Sequence, residues 1–361
     1  MSILFIVPYT TYGGAEKQFG ELRRVVERNG MSATVFALDG SALPFSGVLG
    51  WFVLNFLCVD VKRDRFWRYI KLPALYFVMF LYSIVANNPK VYGYSLYCFP
   101  VLFFLKFTNI ILGRRDEVYY SERIFNLKVK RSLKYSFLYK HFDALVVNST
   151  ELYENFISAG LNNVYLVPNY VVPVNRGVEY RAGDEMLTIG IPARIIKEKN
   201  QLYVLEELAS QDFIIEGVLI KVHLYGELDD LEYFAEISEY FSNSNVCYKE
   251  KASLEAIYSE CELIVLPSLY EGTSNVLLEA MISEKDFLCS SIRANRSVPV
   301  NALNLFEVEV GGFLRTLSRF LLAEERENEF ARASNSKVAV DCYSATEYER
   351  NILQLLVRDG A

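Results

Sequence analysis

The stretch CELIVLPSLYEGTSNVLLEAM, residues 261–281, most constrains what this chain can fold into. The apolar run at residues 263–266 predicts a buried parallel strand, which Pro267 ends because proline cannot donate a hydrogen bond to a sheet. Three residues that favour a helix start come next: Thr273, Ser274 and Asn275. A strand, a loop and an apolar helix in this order are typical of an open α/β sheet, which binds ligands beyond the carboxyl ends of its strands.

Two carboxylates frame the turn between this strand and this helix. Glu271 lies in the loop and Glu279 about one turn into the helix, so both can face the crevice beyond the strand. Backbone N–H groups at a helix start attract phosphate, and ionised carboxylates accept hydrogen bonds from the hydroxyls of a ribose or a sugar. The pattern therefore favours a sugar nucleotide. Two solvated glutamates near a helix start are the alternative for the spacing taken alone.

The same stretch resembles the E-x7-E signature of the retaining glycosyltransferases of family GT4, including the preceding Pro-Ser and the Glu271-Gly272 pair. The resemblance implies that Glu271 contacts the hexose of the donor and acts in catalysis, and that Glu279 contacts the ribose of the nucleotide. Four neighbouring residues are further donor-binding candidates: Gly272, Thr273, Ser274 and Asn275.

A second strand–helix junction carries two cations. A strand is expected at residues 187–191 and a helix at residues 201–209, with Arg194 and Lys199 between them. Both side chains can converge on a diphosphate at such a junction. The pair resembles the Arg and Lys-Asn of GT4 enzymes, although Ala193 replaces the family's usual glycine, and the resemblance makes both residues catalytic candidates. An exposed surface pair is the alternative.

The chain begins with a strand, expected at residues 3–7, and a glycine loop before a helix expected to start at Ala15. A loop of this kind lets a phosphate or a substrate approach the backbone closely. The GGAE element is similar to the N-terminal loop of GT4 enzymes, which makes Gly13 and Gly14 donor-binding candidates. Taken alone, the Gly-Gly pair is also explained by a tight turn.

Residues 45–112 are dense in Phe, Tyr, Leu and Val, and their pattern is ambiguous. The expected elements are a helix at 72–86, a strand at 91–94, a helix at 97–107 and a strand at 109–112. Arg114, Arg115 and Asp116 would then follow a strand end and become acceptor-side candidates. Many GT4 enzymes have a histidine at this position, and its absence here is compatible with an altered acceptor specificity or with loss of activity.

A basic and aromatic segment follows, and it is predicted to be a helix. Its cations are Arg123, Lys128, Lys130, Arg131, Lys134 and Lys140. Such a helix can lie on an anionic membrane surface, or it can be an ordinary amphipathic helix with a solvated basic face. Residues 1–170 contain 19 Lys and Arg against 12 Asp and Glu, whereas the remainder contains 18 against 32. This asymmetry is compatible with a membrane contact of the first half.

Composition excludes several classes of protein. Six scattered cysteines without a C-x-x-C pair and only two histidines argue against a zinc site or a disulfide framework. The chain has no D-x-D motif, so no metal and no other cofactor is expected. The first residues lack the basic region and cleavage site of a signal peptide, and we expect a cytoplasmic protein that can sit at the inner face of the membrane.

The length suits two domains. The predicted ranges are an acceptor-binding domain at 1–170, a linker at 171–185, a nucleotide-sugar-binding domain at 186–340 and a C-terminal helix at 341–361 that returns to the first domain. The resemblance implies an α/β protein of the GT-B fold, with two Rossmann-like domains facing each other across a cleft. It further implies a retaining glycosyltransferase that moves a sugar from a nucleoside diphosphate sugar to a glycan or lipid-linked glycan, in bacterial surface polysaccharide biosynthesis.

Other functions remain open from the sequence. A catalytically inactive GT-B-like partner subunit would keep the fold but lose the diphosphate contacts, and Arg194 and Lys199 argue against it. A GT-B sugar-nucleotide epimerase has different carboxylate motifs. A dinucleotide oxidoreductase is expected to have G-x-G-x-x-G after the first strand. This chain has GGAE there, which does not match that motif.

Overall fold

The computed structural model describes residues 1–8, 13–44, 53, 57–58, 68–85, 90–94, 98–113, 117–122, 136–250 and 252–357. The chain divides into two compact units. Unit 1 comprises Met1–Pro168 and Glu349–Ala361, and unit 2 comprises Asn169–Tyr348.

Unit 1 is a parallel sheet covered by helices. Its described elements are β1 (Ser2–Val7), α1 (Gly13–Arg28), β2 (Ser32–Ala37), α2 (Arg68–Val85), β3 (Lys90–Tyr94), α3 (Phe99–Leu112), β4 (Glu117–Glu122), α4 (Ser136–Tyr139), β5 (Ala144–Val147), α5 (Thr150–Ser158) and β6 (Val164–Leu166). The described strands pair in parallel in the order β2-β1-β3-β4-β5-β6. All the strands therefore point their carboxyl ends to one edge, where an open α/β sheet binds ligands.

The prediction of a strand at residues 109–112 of unit 1 is wrong. Residues 109–112 are the last turn of α3, which ends where Gly113 adopts a φ of +65° at the C-cap. The helix continues because its buried side chains keep the helical period, at Val101, Leu105 and Asn109. The strand next to β3 is instead β4, which begins at Glu117. Arg114, Arg115 and Asp116 lie outside the described residues, and they precede a strand rather than follow one.

Unit 2 holds a second sheet. Its described elements are β7 (Met186–Pro192), α6 (Gln201–Ala209), β8 (Ile214–Ile215), β9 (Val218–Tyr225), α7 (Leu231–Ser238), β10 (Val246–Lys249), α8 (Leu254–Glu260), β11 (Leu263–Leu266), α9 (Asn275–Ile282), β12 (Phe287–Ser290), α10 (Arg293–Ser297), β13 (Leu305–Phe306), α11 (Gly312–Leu322), α12 (Glu325–Tyr343) and α13 (Ala345–Leu356), whose last residues belong to unit 1. The described strands pair in parallel in the order β10-β9-β7-β11-β12-β13, and β8 pairs antiparallel with β9. The strands and helices expected around residues 187–209 and 263–290 are confirmed.

The segment from 169 to 185 has no described helix or strand, yet it is fastened to unit 2. Val178 donates its N–H to the carbonyl of Tyr258, at 3.0 Å. Gly177 adopts a φ of +66°, and a Cβ there would lie 2.0 Å from the same carbonyl oxygen, so no other residue fits without displacing the backbone. The buried ammonium of Lys285 donates to the carbonyl of Val178 as well.

The expected basic helix cannot be located, since Arg123, Lys128, Lys130, Arg131 and Lys134 lie outside the described residues. Lys140 follows the single turn of α4 and is exposed. Among the helices that the structure describes, none combines the length and the apolar character needed to cross a bilayer.

Candidate functional site

The candidate site lies at the carboxyl edge of the unit 2 sheet, where three neighbouring strands end. The ends of β9 and β7 come very close together: a Cβ on Gly226 would lie 2.1 Å from the carbonyl oxygen of Ala193. Ala193 also donates its N–H to the carbonyl of Tyr225, at 2.8 Å. These contacts fix the start of the loop that bears Arg194 and Lys199.

Glu271 and Lys199 meet at this edge. Nζ of Lys199 lies 2.5 Å from Oε1 of Glu271, and the hydroxyl of Ser268 donates to the same oxygen at 2.7 Å. The two loops are also joined through their backbones, because Leu269 donates its N–H to the carbonyl of Glu198 at 2.9 Å. Among the described residues, no hydrogen-bond partner lies on Oε2 of Glu271, so that oxygen can accept a bond from a ligand hydroxyl.

Arg194 is paired with a carboxylate that was not predicted from the sequence. Its Nη1 lies 2.8 Å from Oδ2 of Asp229, and both side chains are partly exposed. The carbonyl of Arg194 accepts a bond from Nε2 of buried Gln201, at 2.9 Å, which ties the loop to the start of α6. Asp229 could have been found from its position, since it follows the carboxyl end of β9, the strand next to β7.

Backbone geometry explains the Lys-Asn pair at residues 199–200. Asn200 has a φ of +54° at the junction between the turn Lys197–Lys199 and α6. Glycine and asparagine are the residues that adopt this left-handed conformation most readily. The pair therefore serves to turn the chain sharply enough to bring Lys199 to Glu271.

The start of α9 faces the same edge. Ser274 is its N-cap and accepts a bond from the N–H of Leu277, as expected from the sequence. Asn275 is its first residue, and Oδ1 of Asn275 accepts a bond from Nδ2 of buried Asn169, at 2.7 Å. The amino-terminal end of a helix carries a partial positive charge from its first N–H groups, which attracts an anion. Gly272 and Thr273 lie in the loop just before this cap.

Glu279 lies one turn into α9 and is only 4% exposed. Burial, together with the carboxylates of Glu279 and Glu255, raises the pKa of the Tyr258 hydroxyl well above its ordinary value. Glu279 thus lies in the interior of unit 2 and is less exposed than Glu271, whose side chain is 14% exposed.

Ser268 and Asn169, like Asp229, were not predicted from the sequence. Ser268 and Asn169 each follow a proline at the end of a strand, β11 and β6 respectively, and this position was the available signal. Among the described residues, no group of three His, Cys, Asp or Glu side chains is arranged to hold a metal ion. That no metal is needed stays a prediction.

The carboxyl edge of the unit 1 sheet carries a different set of residues. Gly13 and Gly14 open α1, which follows β1. Ser121 and Glu122 end β4, and Glu122 is 5% exposed. Oε2 of Glu122 accepts a bond from the hydroxyl of Tyr120, at 2.7 Å, so the carboxylate is held at the strand end.

Residues 186–333 match a family model described as Glycosyl transferases group 1, which indicates a glycosyltransferase. A search of curated protein sequences finds no significant match.

Solved structures match nearly the whole chain. The lipopolysaccharide outer core galactosyltransferase WaaB matches at a TM-score of 0.72 and 15% identity, over 99% of each chain. WaaG, a glycosyltransferase involved in lipopolysaccharide biosynthesis, matches at a TM-score of 0.68 and 12% identity, over 99% of this chain and 100% of its own. The pneumococcal O-GlcNAc transferase GtfA, in complex with UDP and GlcNAc, matches at a TM-score of 0.59 and 13% identity, over 78% of this chain and 60% of its own. The predicted fold class is confirmed: the chain has the GT-B fold, with two Rossmann-like domains.

Proposed function

We propose that this protein transfers a sugar from a nucleoside diphosphate sugar to a glycan or lipid-linked glycan acceptor, with retention of anomeric configuration and without a bound metal. The observation that carries the proposal is the contact of Lys199 and Ser268 with Glu271 beside the capped start of α9. It lies within the residues that match the glycosyltransferase family model. In the reaction the bond from the anomeric carbon to the diphosphate breaks, the acceptor oxygen bonds to that carbon, and the acceptor proton is released.

The departing diphosphate takes up negative charge, and unit 2 offers three positive groups for it. These are Lys199, Arg194 and the N–H groups at residues 273–275. Lys199 and Arg194 are neutralised by Glu271 and Asp229 in the structure, so the donor phosphates replace two carboxylates as their partners. Electrostatic stabilisation of developing charge often contributes more to catalysis than any other single effect.

The carboxylates bind the neutral parts of the donor. Glu271, which stays hydrogen-bonded to Ser268 through one oxygen, orients the sugar through the other. Glu279 accepts bonds from the ribose hydroxyls, and Gly272 lets the loop approach the ligand closely. We assign Gly13 and Gly14, at the start of α1, to the donor as well.

The donor is a uridine nucleotide in this proposal, because the pneumococcal GtfA structure contains UDP. The pathway is bacterial surface polysaccharide biosynthesis, on the analogy of WaaB and WaaG, whose names place them in lipopolysaccharide synthesis. The protein would then act in the cytoplasm at the inner face of the membrane.

We place the acceptor site at the end of β4 instead of at residues 114–116. Since residues 114–116 do not follow a strand, the buried carboxylate of Glu122 is the better candidate for binding acceptor hydroxyls. Glu122→Gln should lower transfer to the acceptor while donor hydrolysis is unchanged. Tyr120→Phe, which removes the hydroxyl bonded to Glu122 but keeps the carboxylate, should leave more of the transfer activity than Glu122→Gln.

The test of the reaction is a transfer assay with UDP-sugars and oligosaccharide or lipid-linked acceptors, followed by NMR of the product. Retention of the donor's anomeric configuration, without added metal and in the presence of EDTA, supports the proposal. Inversion would contradict it. Donor binding without turnover on any acceptor would favour the inactive partner subunit instead.

A further inference from the structure

A network of buried hydrogen bonds reaches Glu271 from the next strand of the unit 2 sheet. Ser290, the last residue of β12, donates its hydroxyl proton to the carbonyl of Ser268, at 2.6 Å. Ser268 donates its own hydroxyl proton to Oε1 of Glu271, at 2.7 Å. Behind Ser290, Nδ2 of Asn295 on α10 donates to the carbonyl of Ser290, at 2.9 Å. The network thus connects α10 and β12 to the loop that bears Glu271.

The residues behind Glu271 in this network are shielded from water. Ser268 and Asn295 are 2% exposed, and Ser290 is 0% exposed. A buried hydroxyl destabilises a protein unless it is hydrogen-bonded, and the preceding residues of β12, Phe287–Cys289, are apolar. The bond to Ser268 therefore accounts for a serine at a position where the strand would otherwise bury an apolar side chain.

The direction of each bond follows from the chemistry of its two partners. A serine hydroxyl has one proton to donate, whereas a backbone carbonyl and an ionised carboxylate only accept. The proton of Ser290 is therefore committed to the carbonyl of Ser268, and the proton of Ser268 is committed to Glu271. The first bond holds the backbone of Ser268 in place, and the second holds the carboxylate relative to that backbone.

Donor binding makes the carboxylate depend on this support. In the structure Oε1 of Glu271 has two contacts, Nζ of Lys199 and the hydroxyl of Ser268. In the proposed reaction the diphosphate becomes the partner of Lys199, so that oxygen keeps only the bond from Ser268. The position of the carboxylate then rests on Ser268, whose carbonyl is held by Ser290.

We propose that Ser290 is a positioning residue for the reaction. Acting through Ser268, it holds the carboxylate of Glu271 toward the donor sugar after Lys199 has turned to the diphosphate. This inference rests on the proposed function, in which Glu271 contacts the sugar. A carboxylate that turns freely would spend part of its time in an unproductive geometry, which weakens sugar binding and slows transfer.

The test compares the affinity of UDP with that of UDP-galactose, UDP-glucose and UDP-GlcNAc by calorimetry. UDP lacks the sugar, so the ratio of Kd for a UDP-sugar to Kd for UDP reports the sugar contacts. Ser290→Ala should raise this ratio about fivefold and Ser268→Ala about tenfold, with Kd for UDP unchanged in both. Ser283→Ala is the matched control, because Ser283 is a buried serine of unit 2 that bonds a backbone group elsewhere, the N–H of Val174. The control should leave the ratio unchanged.

The double variant separates action through Ser268 from a general loosening of unit 2. If Ser290 acts through Ser268, Ser290→Ala should not raise the ratio further in the Ser268→Ala background. Additive effects would overturn the inference. So would an equal rise in Ser283→Ala, or a loss of affinity for UDP as large as the loss for the UDP-sugar.

The same titrations distinguish failure of the inference from failure of the proposed function. If Glu271→Gln changes the ratio and Ser290→Ala does not, the inference alone is overturned. If wild type binds no uridine compound, or if Glu271→Gln leaves the ratio at its wild-type value, the proposed function fails and the inference fails with it.

Discussion

Nζ of Lys199 lies 2.5 Å from Oε1 of Glu271, and the two side chains are only 19% and 14% exposed. Seventy-two residues separate them in the chain, and the carboxyl ends of β7 and β11 bring them together. The proposed reaction uses both groups, the cation for the diphosphate and the carboxylate for the sugar. The ion pair keeps both side chains in position until the donor phosphates replace Glu271 as the partner of Lys199.

Glu271→Gln should separate catalysis from binding. The amide keeps the shape of the side chain and an acceptor for Ser268, but it no longer neutralises Lys199. We expect kcat to fall by about a hundredfold or more, as for loss of a group that acts in the transition state, while Kd for UDP does not weaken. Initial rates and calorimetry measure the two quantities. Turnover within threefold of wild type would remove Glu271 from the catalytic assignment.

Asp229→Asn should tighten binding of the diphosphate. Asp229 competes with the ligand for Arg194, and a partly exposed pair of this kind is worth up to about 1 kcal/mol, so Kd for UDP should fall by up to about fivefold. Glu236 lies on α7 and forms an ion pair of similar exposure with Lys197. Glu236→Gln breaks that pair and is therefore the matched control. A Kd that rises tenfold in Asp229→Asn would show that Asp229 helps to bind the donor rather than competing with it.

Glu284→Gly should stabilise unit 2. Glu284 has a φ of +54°, and the left-handed conformation costs a residue with a Cβ roughly 1 kcal/mol. Glu284→Ala removes the same carboxylate but keeps the Cβ, so it should bring no gain. Urea denaturation measures the free energy of unfolding. Equal effects of the two substitutions would assign the change to charge instead of backbone strain.

Unit 1 should lose stability between about pH 9 and pH 12. Burial raises the pKa of the Cys98 thiol from 9.0 to about 12, so the folded state keeps a proton that the unfolded chain releases. The contribution is complete below pH 9, and by pH 10 roughly 1 kcal/mol of it is lost. Cys98→Ala should therefore show a smaller loss between pH 8 and pH 10 than wild type.

Tryptophan fluorescence suits this measurement, because Trp51 and Trp67, the two tryptophans of the chain, both belong to the sequence of unit 1. Cys289→Ala is the control, since its buried thiol lies in unit 2. Parallel pH profiles for wild type and Cys98→Ala would contradict the assignment.

Much of unit 2 was predictable because its central strands are short, continuous apolar runs between clear turn and cap residues. Leu263–Leu266 ends at a proline, and Ser274 caps the next helix. Unit 1 was harder. An apolar run such as residues 109–112 fits a strand or the end of a buried helix equally well, and only the helical spacing of the buried side chains from Val101 onward decides between them.

Two other elements, β4 and α12, were not predicted from the sequence, for physical reasons. β4 has glutamates at both ends, which hides a buried strand in a polar pattern. The 19 residues of α12 are mostly polar and show little apolar periodicity, so the helix was not predicted at all. At the site, sequence placed Glu271, Lys199 and Arg194 at strand ends, but it could not tell which carboxylate pairs with which cation. That choice depends on strand order, which brings Asp229 and Glu271 to either side of β7.

The most direct test of the central claim is a thermal-shift panel of UDP, GDP, ADP and their sugar conjugates, with and without EDTA, on wild type and Glu279→Ala. A ligand that binds the native state raises the apparent stability as RT ln(1 + [L]/Kd). Lys199→Met serves as a second variant in case loss of buried Glu279 unfolds the protein. We predict a metal-independent shift with the uridine compounds that weakens in both variants. No shift with any nucleotide, or equal shifts in wild type and Lys199→Met, would contradict a sugar-nucleotide site at this edge of unit 2.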